Sequence, residues 1–155
     1  MNVIHSEGED TIMGNLEFVD GRFVHQEEFQ CECGRTHAIP IREILVRRGA
    51  LDDLGTVLNQ LDLGKQGLVI ADLNTYDAAG ARVMEKLQQA SYQPKLCLFE
   101  TREWVKPDEY AIGTVMLNIE RDTSFLLVVG SGCLTDLTRY ISSRTGIPFI
   151  SVPTA

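Results

Sequence analysis

The chain has 155 residues, 44% hydrophobic and 23% charged, ordinary values for a single globular domain whose core needs no disulfide or metal. Fourteen Lys and Arg against 22 Asp and Glu leave a formal net charge of −8. That balance repels a phosphate backbone and argues against general nucleic-acid binding; Arg47-Arg48 is an isolated basic pair.

Residues 1–14 are polar and aperiodic and read as a flexible tail. They hold three acids and no Lys or Arg, which suits no export or transit signal. No apolar run approaches the length of a bilayer span, so no membrane partner is expected. The expected location is the cytoplasm, where four Cys serve as thiols or ligands.

Leu16 to Val24 alternates around Asp20-Gly21, a hairpin signal. Residues 15–42 then read as a small β-hairpin extension that includes a polar knot from Cys31 to His37. From 43 to 155, short apolar runs alternate with stretches of helical period. The strand candidates are Ile44–Val46, Leu68–Ala71, Leu96–Phe99, Phe125–Val129 and Phe149–Val152. Several are apolar throughout, as expected where helices cover both faces of a parallel sheet.

Four helical stripes lie between them. Leu51, Leu54, Leu58 and Leu61 form the first; Ala79, Val83, Leu87 and Ala90 form the second, behind an Asn74-Thr75 cap signal. Ile112, Val115, Met116 and Ile119 form the third, opened by Pro107 with Asp108 and Glu109 in its first turn. Leu134, Leu137 and Ile141 form the fourth. The alternation predicts an α/β fold: a Rossmann-like, doubly wound, mainly parallel sheet with a small N-terminal β-hairpin extension.

The sharpest motif is Gly130-Ser131-Gly132, which joins the apolar run ending at Val129 to the fourth helix. Glycines there permit unusual backbone angles and close approach of a phosphate, and the helix start directs free N–H groups at an anion. A tight turn without a ligand explains the pattern equally well. It is not the usual dinucleotide fingerprint, because Thr135 and Asp136 follow where a third Gly belongs. Asp72 and Asn74 follow another strand; each suits a helix cap, and Asp72 also suits a ribose hydroxyl. Thr154 would add a donor on the same rim, and Asp136 either faces the bound cofactor or is a solvated helix-start acid. Gly64-Lys65 is no phosphate loop, since Asn59 and Gln66 stand where Gly and Ser or Thr are required.

Cys31, Cys33 and His37 form a second cluster, in which alternate strand residues turn both sulfurs to one face. A structural zinc takes four ligands, so His25 or a carboxylate would have to complete the set. A hairpin with reduced thiols needs nothing more. The three His lie at 5, 25 and 37, and no Ser-His-Asp arrangement falls near the glycine turn.

In the order Asp72-x-Asn74-Thr75, Gly130-Ser131-Gly132-x-x-x-Asp136 and Ile147 to Ala155, the chain resembles the N-terminal half of sn-glycerol-1-phosphate dehydrogenases. These belong to a wider group with iron-type alcohol dehydrogenases, glycerol dehydrogenases and 3-dehydroquinate synthases. The resemblance covers about residues 31 to 155, and the Cys-x-Cys-Gly-x-x-His stretch shares in it. It implies an NAD or NADP site: Asp72 on the adenosine ribose, Gly130, Ser131 and Gly132 on the pyrophosphate, Asp136 toward the nicotinamide ribose or substrate side and Thr154 lining the cleft, with Asn74 and Thr135 also among the cofactor-binding residues. It also implies a second, helical domain, absent from this chain, whose Asp and two His bind catalytic zinc or iron.

The expected parent reaction is hydride transfer between dihydroxyacetone phosphate and sn-glycerol 1-phosphate, with the isolated chain inactive and truncated. A small phosphorylated polyol would be the substrate, and a homo-oligomer is compatible with this reading. The alternatives are a fragment of a dehydroquinate synthase-like lyase and a stand-alone, non-enzymatic nucleotide-binding domain.

Overall fold

The computed structural model describes residues 17–19, 21–24, 28–38 and 40–154. The expected 1–14 tail, Asp20 of the hairpin signal and His25 lie outside the described residues. The chain divides into two compact units between Ala50 and Leu51.

In the first unit, β1 (Glu17–Val19) and β2 (Arg22–Val24) pair antiparallel, with Val19 opposite Arg22. Gly21 supplies the turn between them, as the hairpin signal predicts. A second antiparallel pair joins β3 (Glu28–Gln30) to β4 (Thr36–Ala38). The run expected to open the parallel sheet is instead β5 (Ile44–Leu45), antiparallel to β2 with Leu45 opposite Arg22. Val46 is exposed, and both β5 residues are only half-buried. A short apolar run signals a strand but does not specify its partner.

A 3-10 turn, Ala50–Asp53, crosses the boundary and leads into α1 (Leu54–Gln60) of the second unit. Then come β6 (Gln66–Asp72), the short helix α2 (Leu73–Thr75), a π-helical turn (Tyr76–Gly80) and α3 (Ala81–Gln89). After these follow β7 (Gln93–Phe99), α4 (Glu109–Asn118), β8 (Phe125–Val129), α5 (Cys133–Thr145) and β9 (Phe149–Val152). The four strands form one parallel sheet in the order β7-β6-β8-β9.

That order follows from burial on both faces. Leu68, Ile70, Leu126 and Val128 point to one face, where they meet Val115 of α4 and Leu134, Leu137 and Ile141 of α5. Val69, Ala71, Phe125, Leu127 and Val129 point to the other, against Leu54, Leu58, Val83, Leu87 and Tyr92. Neighbouring residues of one strand thus serve opposite cores, which explains why β6 and β8 read as continuously apolar. The third stripe needs one correction: Ile112 and Ile119 pack on the core, whereas Met116 is exposed. With α4 placing Ala111, Val115 and Ile112 inward, the next position after Val115 turns outward on a 3.6-residue period.

Successive strands run from β6 outward to β7, back across to β8, and onward to β9. The winding direction therefore reverses between β6 and β8. In open α/β sheets, ligands bind beyond the carboxyl ends of the strands at such a reversal.

Candidate dinucleotide site and thiol–imidazole cluster

Asp72 ends β6 and Gly130 follows the end of the neighbouring β8 at that reversal. Ile70 pairs with Val128 in the parallel ladder, two residues before each. The third rim is β9, whose Val152 carbonyl accepts from the Gly130 N–H at 3.0 Å. Three adjacent strand ends therefore converge: Asp72 to Thr75, Gly130 to Gly132, and Val152 to Thr154.

The glycine turn is built by backbone conformation. Gly130 has φ of +148° and Gly132 has φ of +52°, values that side chains with a Cβ rarely adopt. The two differ in their surroundings. A Cβ on Gly130 would meet Leu134 Cδ1 at 3.0 Å and Thr75 Cγ2 at 3.4 Å, so that glycine also serves packing. A Cβ on Gly132 would meet no atom within 4 Å, so the space above it is open. Gly132 is the N-cap of α5, and no side-chain hydrogen bond caps the helix start. A 13-residue helix with an uncapped start beside open glycine backbone is suited to an anion. The turn and its surroundings fit a pyrophosphate: space for approach, N–H donors, and the positive end of a helix dipole.

The other predicted residues divide by what their side chains already hold. Thr135 Oγ1 donates to the Gly130 carbonyl at 3.3 Å, which braces the turn from within. Ser131 is exposed at the tip, and Thr154 is half-buried on the β9 rim. Asp136 turns along its own helix to Arg139, 3.1 Å away, and both side chains are exposed. Asp72 is the N-cap of α2: its Oδ1 accepts from the Thr75 N–H at 2.8 Å, while its own N–H donates to Thr75 Oγ1 at 3.0 Å. The cap is therefore Asp72 with Thr75, and the Asn74-Thr75 cap signal is corrected accordingly. Asn74 donates from Nδ2 to the Arg102 carbonyl at 2.8 Å, and Arg102 reaches both Asn74 Oδ1 and Asp77. Asn74 ties α2 to the loop after β7.

That loop brings one residue to the site which the sequence did not single out. Trp104 Nε1 donates to Cys133 Sγ at 2.8 Å, at the first residue of α5 beside Gly132. Trp104 is 69% exposed, so its indole lies on the rim rather than in a core. The contact joins residues 29 apart in sequence, and no local pattern announces it. Cys97, expected in the core, is buried there, and burial pushes its thiol up.

In the first unit, the turn between β3 and β4 gathers Cys31, Cys33 and His37. Cys33 Sγ and His37 Nε2 are 3.1 Å apart, and the Cys33 N–H donates to Cys31 Sγ at 3.5 Å. Backbone and then thiol hydrogen bonds from Cys33 hold the Cys31 thiol below its ordinary range. All three ligand atoms lie within 4.8 Å of one another. Among the described residues, no other trio of Cys, His, Asp or Glu is so placed. The chain carries no His after His37, and among the described residues no Asp and two His come together as the resemblance places them in a catalytic metal site. The residues present do not fit that metal.

Comparison with known proteins places the chain in a family. A model of the iron-containing alcohol dehydrogenase family matches residues 45–155. A glycerol-1-phosphate dehydrogenase [NAD(P)+] from Geobacillus thermodenitrificans is 36% identical over 128 residues, 81% of this chain and 31% of that protein. The enzyme of the same name from Methanosarcina mazei is 38% identical over 117 residues, 74% of this chain and 31% of that protein. Among solved structures, glycerol dehydrogenase from Schizosaccharomyces pombe superposes with a TM-score of 0.58 at 18% identity, covering 67% of this chain and 25% of that one. The last likeness concerns the fold. The chain spans about a third of the length of the curated relatives it matches.

Proposed function

The chain belongs to the iron-containing alcohol dehydrogenase family, and from that premise we propose that its second unit is the NAD(P)-binding portion of a glycerol-1-phosphate dehydrogenase. The observation that carries the reading is the Gly130–Gly132 turn: open at Gly132, followed by an uncapped helix start, at the point where the sheet reverses its winding. The backbone N–H groups from Gly132 to Thr135 would receive the pyrophosphate. Asp72 would accept from an adenosine ribose hydroxyl through the oxygen that does not cap α2, and Thr154 would line the opposite rim. A carboxylate in contact with the 2′ position repels a 2′-phosphate, which favours NAD over NADP.

When bound, the nicotinamide carries the hydride exchanged with dihydroxyacetone phosphate or sn-glycerol 1-phosphate. This chain's own residues bind and orient the dinucleotide, and Gly132 leaves room for the phosphates. Asp136 is held by Arg139 and takes its place near the nicotinamide side only if that exposed pair opens. The cytoplasm is the compartment that suits Cys31, Cys33, Cys97 and Cys133 as free thiols.

Calorimetric titration with NADH and with NADPH tests the reading. Saturable binding of NADH at submillimolar concentration is the expected result. Failure of both dinucleotides to bind at millimolar concentration would remove the proposed cofactor site.

A further inference from the structure

We propose that Cys31, Cys33 and His37, in the first unit, form a zinc site that staples the β3–β4 turn. Tetrahedral zinc, with Zn–S of about 2.3 Å and Zn–N of about 2.0 Å, requires ligand atoms about 3.5–3.8 Å apart. The three atoms here already lie within 4.8 Å of one another, and Cys33 Sγ to His37 Nε2 is 3.1 Å. Shifts of a few tenths of an ångström to about an ångström, within reach of side-chain torsions, bring them onto one ion.

The turn itself is preformed. Cys31 N–H donates to the Arg35 carbonyl and Gly34 N–H to the Cys31 carbonyl, both at 2.9 Å. Gly34 has φ of +80°, which lets the chain fold back so that His37, on β4, returns over the two sulfurs. The Cys33 N–H on Cys31 Sγ supplies the kind of outer hydrogen bond that steadies a metal-bound thiolate. Two thiolates and one neutral imidazole balance the charge of a divalent ion. They are also the soft and borderline donors that select zinc over magnesium or calcium. Three protein donors make this an open site rather than the closed four-ligand kind, with the fourth position left to solvent beside the exposed Cys33 and His37.

β3 and β4 are three residues each, and all three β4 residues are exposed. A two-stranded hairpin is marginal in water without a buried face. Closing the turn with a metal supplies what burial does not, because binding free energy in such a site is folding free energy.

The test is cobalt substitution on the full chain, purified under reducing conditions, with zinc competition. One equivalent of Co(II) should give the near-ultraviolet thiolate charge-transfer absorption with tetrahedral visible bands, and zinc should abolish both. Cys33→Ser and His37→Ala should each weaken Co(II) binding at least tenfold, whereas Cys133→Ser should leave it unchanged. Amide hydrogen exchange of residues 28–38 should slow when zinc is added. A wild-type chain without thiolate–cobalt absorption, or equal cobalt binding in Cys33→Ser, would overturn the proposal. So would a Cys31–Cys33 disulfide that persists in reductant. None of these readouts depends on dinucleotide binding.

Discussion

Replacing Gly132 with Ala separates the cost of the turn from its use. Gly132 has φ of +52° and ψ of −117°, a conformation that costs a residue bearing a Cβ about 1–3 kcal/mol. No packing penalty is added, because the new methyl meets nothing within 4 Å. A folded domain has about 5–15 kcal/mol of stability, so the variant should remain folded, with the melting temperature lowered by about 2–12 °C. The same methyl would occupy the space through which a phosphate reaches the α5 N–H groups. NADH affinity should therefore fall at least tenfold, about 1.4 kcal/mol or more. Thermal unfolding and calorimetry on the same sample read both effects. Unchanged NADH affinity in a folded Gly132→Ala protein would refute the assignment of this turn to the cofactor.

Asp72→Asn keeps an oxygen that can cap Thr75 while removing the charge, so stability should change by only a few tenths of a kcal/mol while the preference for NADH over NADPH narrows. Equal discrimination in the variant and the parent would separate Asp72 from the ribose. Phe125→Ala empties a fully buried position that meets Tyr92 edge-on at 5.8 Å, and should cost about 3–5 kcal/mol by chemical denaturation. A loss below about 1 kcal/mol would contradict the packing described. Lys86 first, then Arg82, hold the Asp52 carboxyl below its ordinary range, so its contribution is present above the unfolded pKa and disappears as pH falls through the lower folded value. Asp52→Asn should flatten that acid limb of the stability profile, and an unchanged slope would show that the pairs contribute nothing. Trp104 is the only tryptophan, and its contact with Cys133 places it by the turn. Its fluorescence should change on NADH addition and stay constant in Gly132→Ala at the same concentration.

The parallel sheet was readable because β6 and β8 are apolar at every interior position, a pattern that two covered faces demand. The glycine turn was readable for the related reason that positive φ leaves a residue signature. What the sequence did not show depends on partners far along the chain. Ile44–Leu45 carries the composition of a parallel strand, but its hydrogen-bonding edge is taken by β2. Asp72 and Asn74 look interchangeable as caps until Thr75 selects the first and Arg102 takes the second. An Asp-x-x-Thr spacing is the signal that would have chosen between them, since Thr75 at the third helical position returns a bond to the cap. Trp104 had no such signal, because only the fold brings it to Cys133. The thiol–imidazole cluster was visible as a spacing, but its convergence rests on the bonds within the Cys31–Arg35 turn.

The most direct measurement of the central claim is a map of backbone amide chemical shifts during an NADH titration of the full chain. Saturable changes should concentrate at residues 130–136, with smaller ones at 72–75 and 152–154, the three strand ends that converge in the sheet. No shift at 130–136 at millimolar NADH, or changes confined to other residues, would contradict that claim.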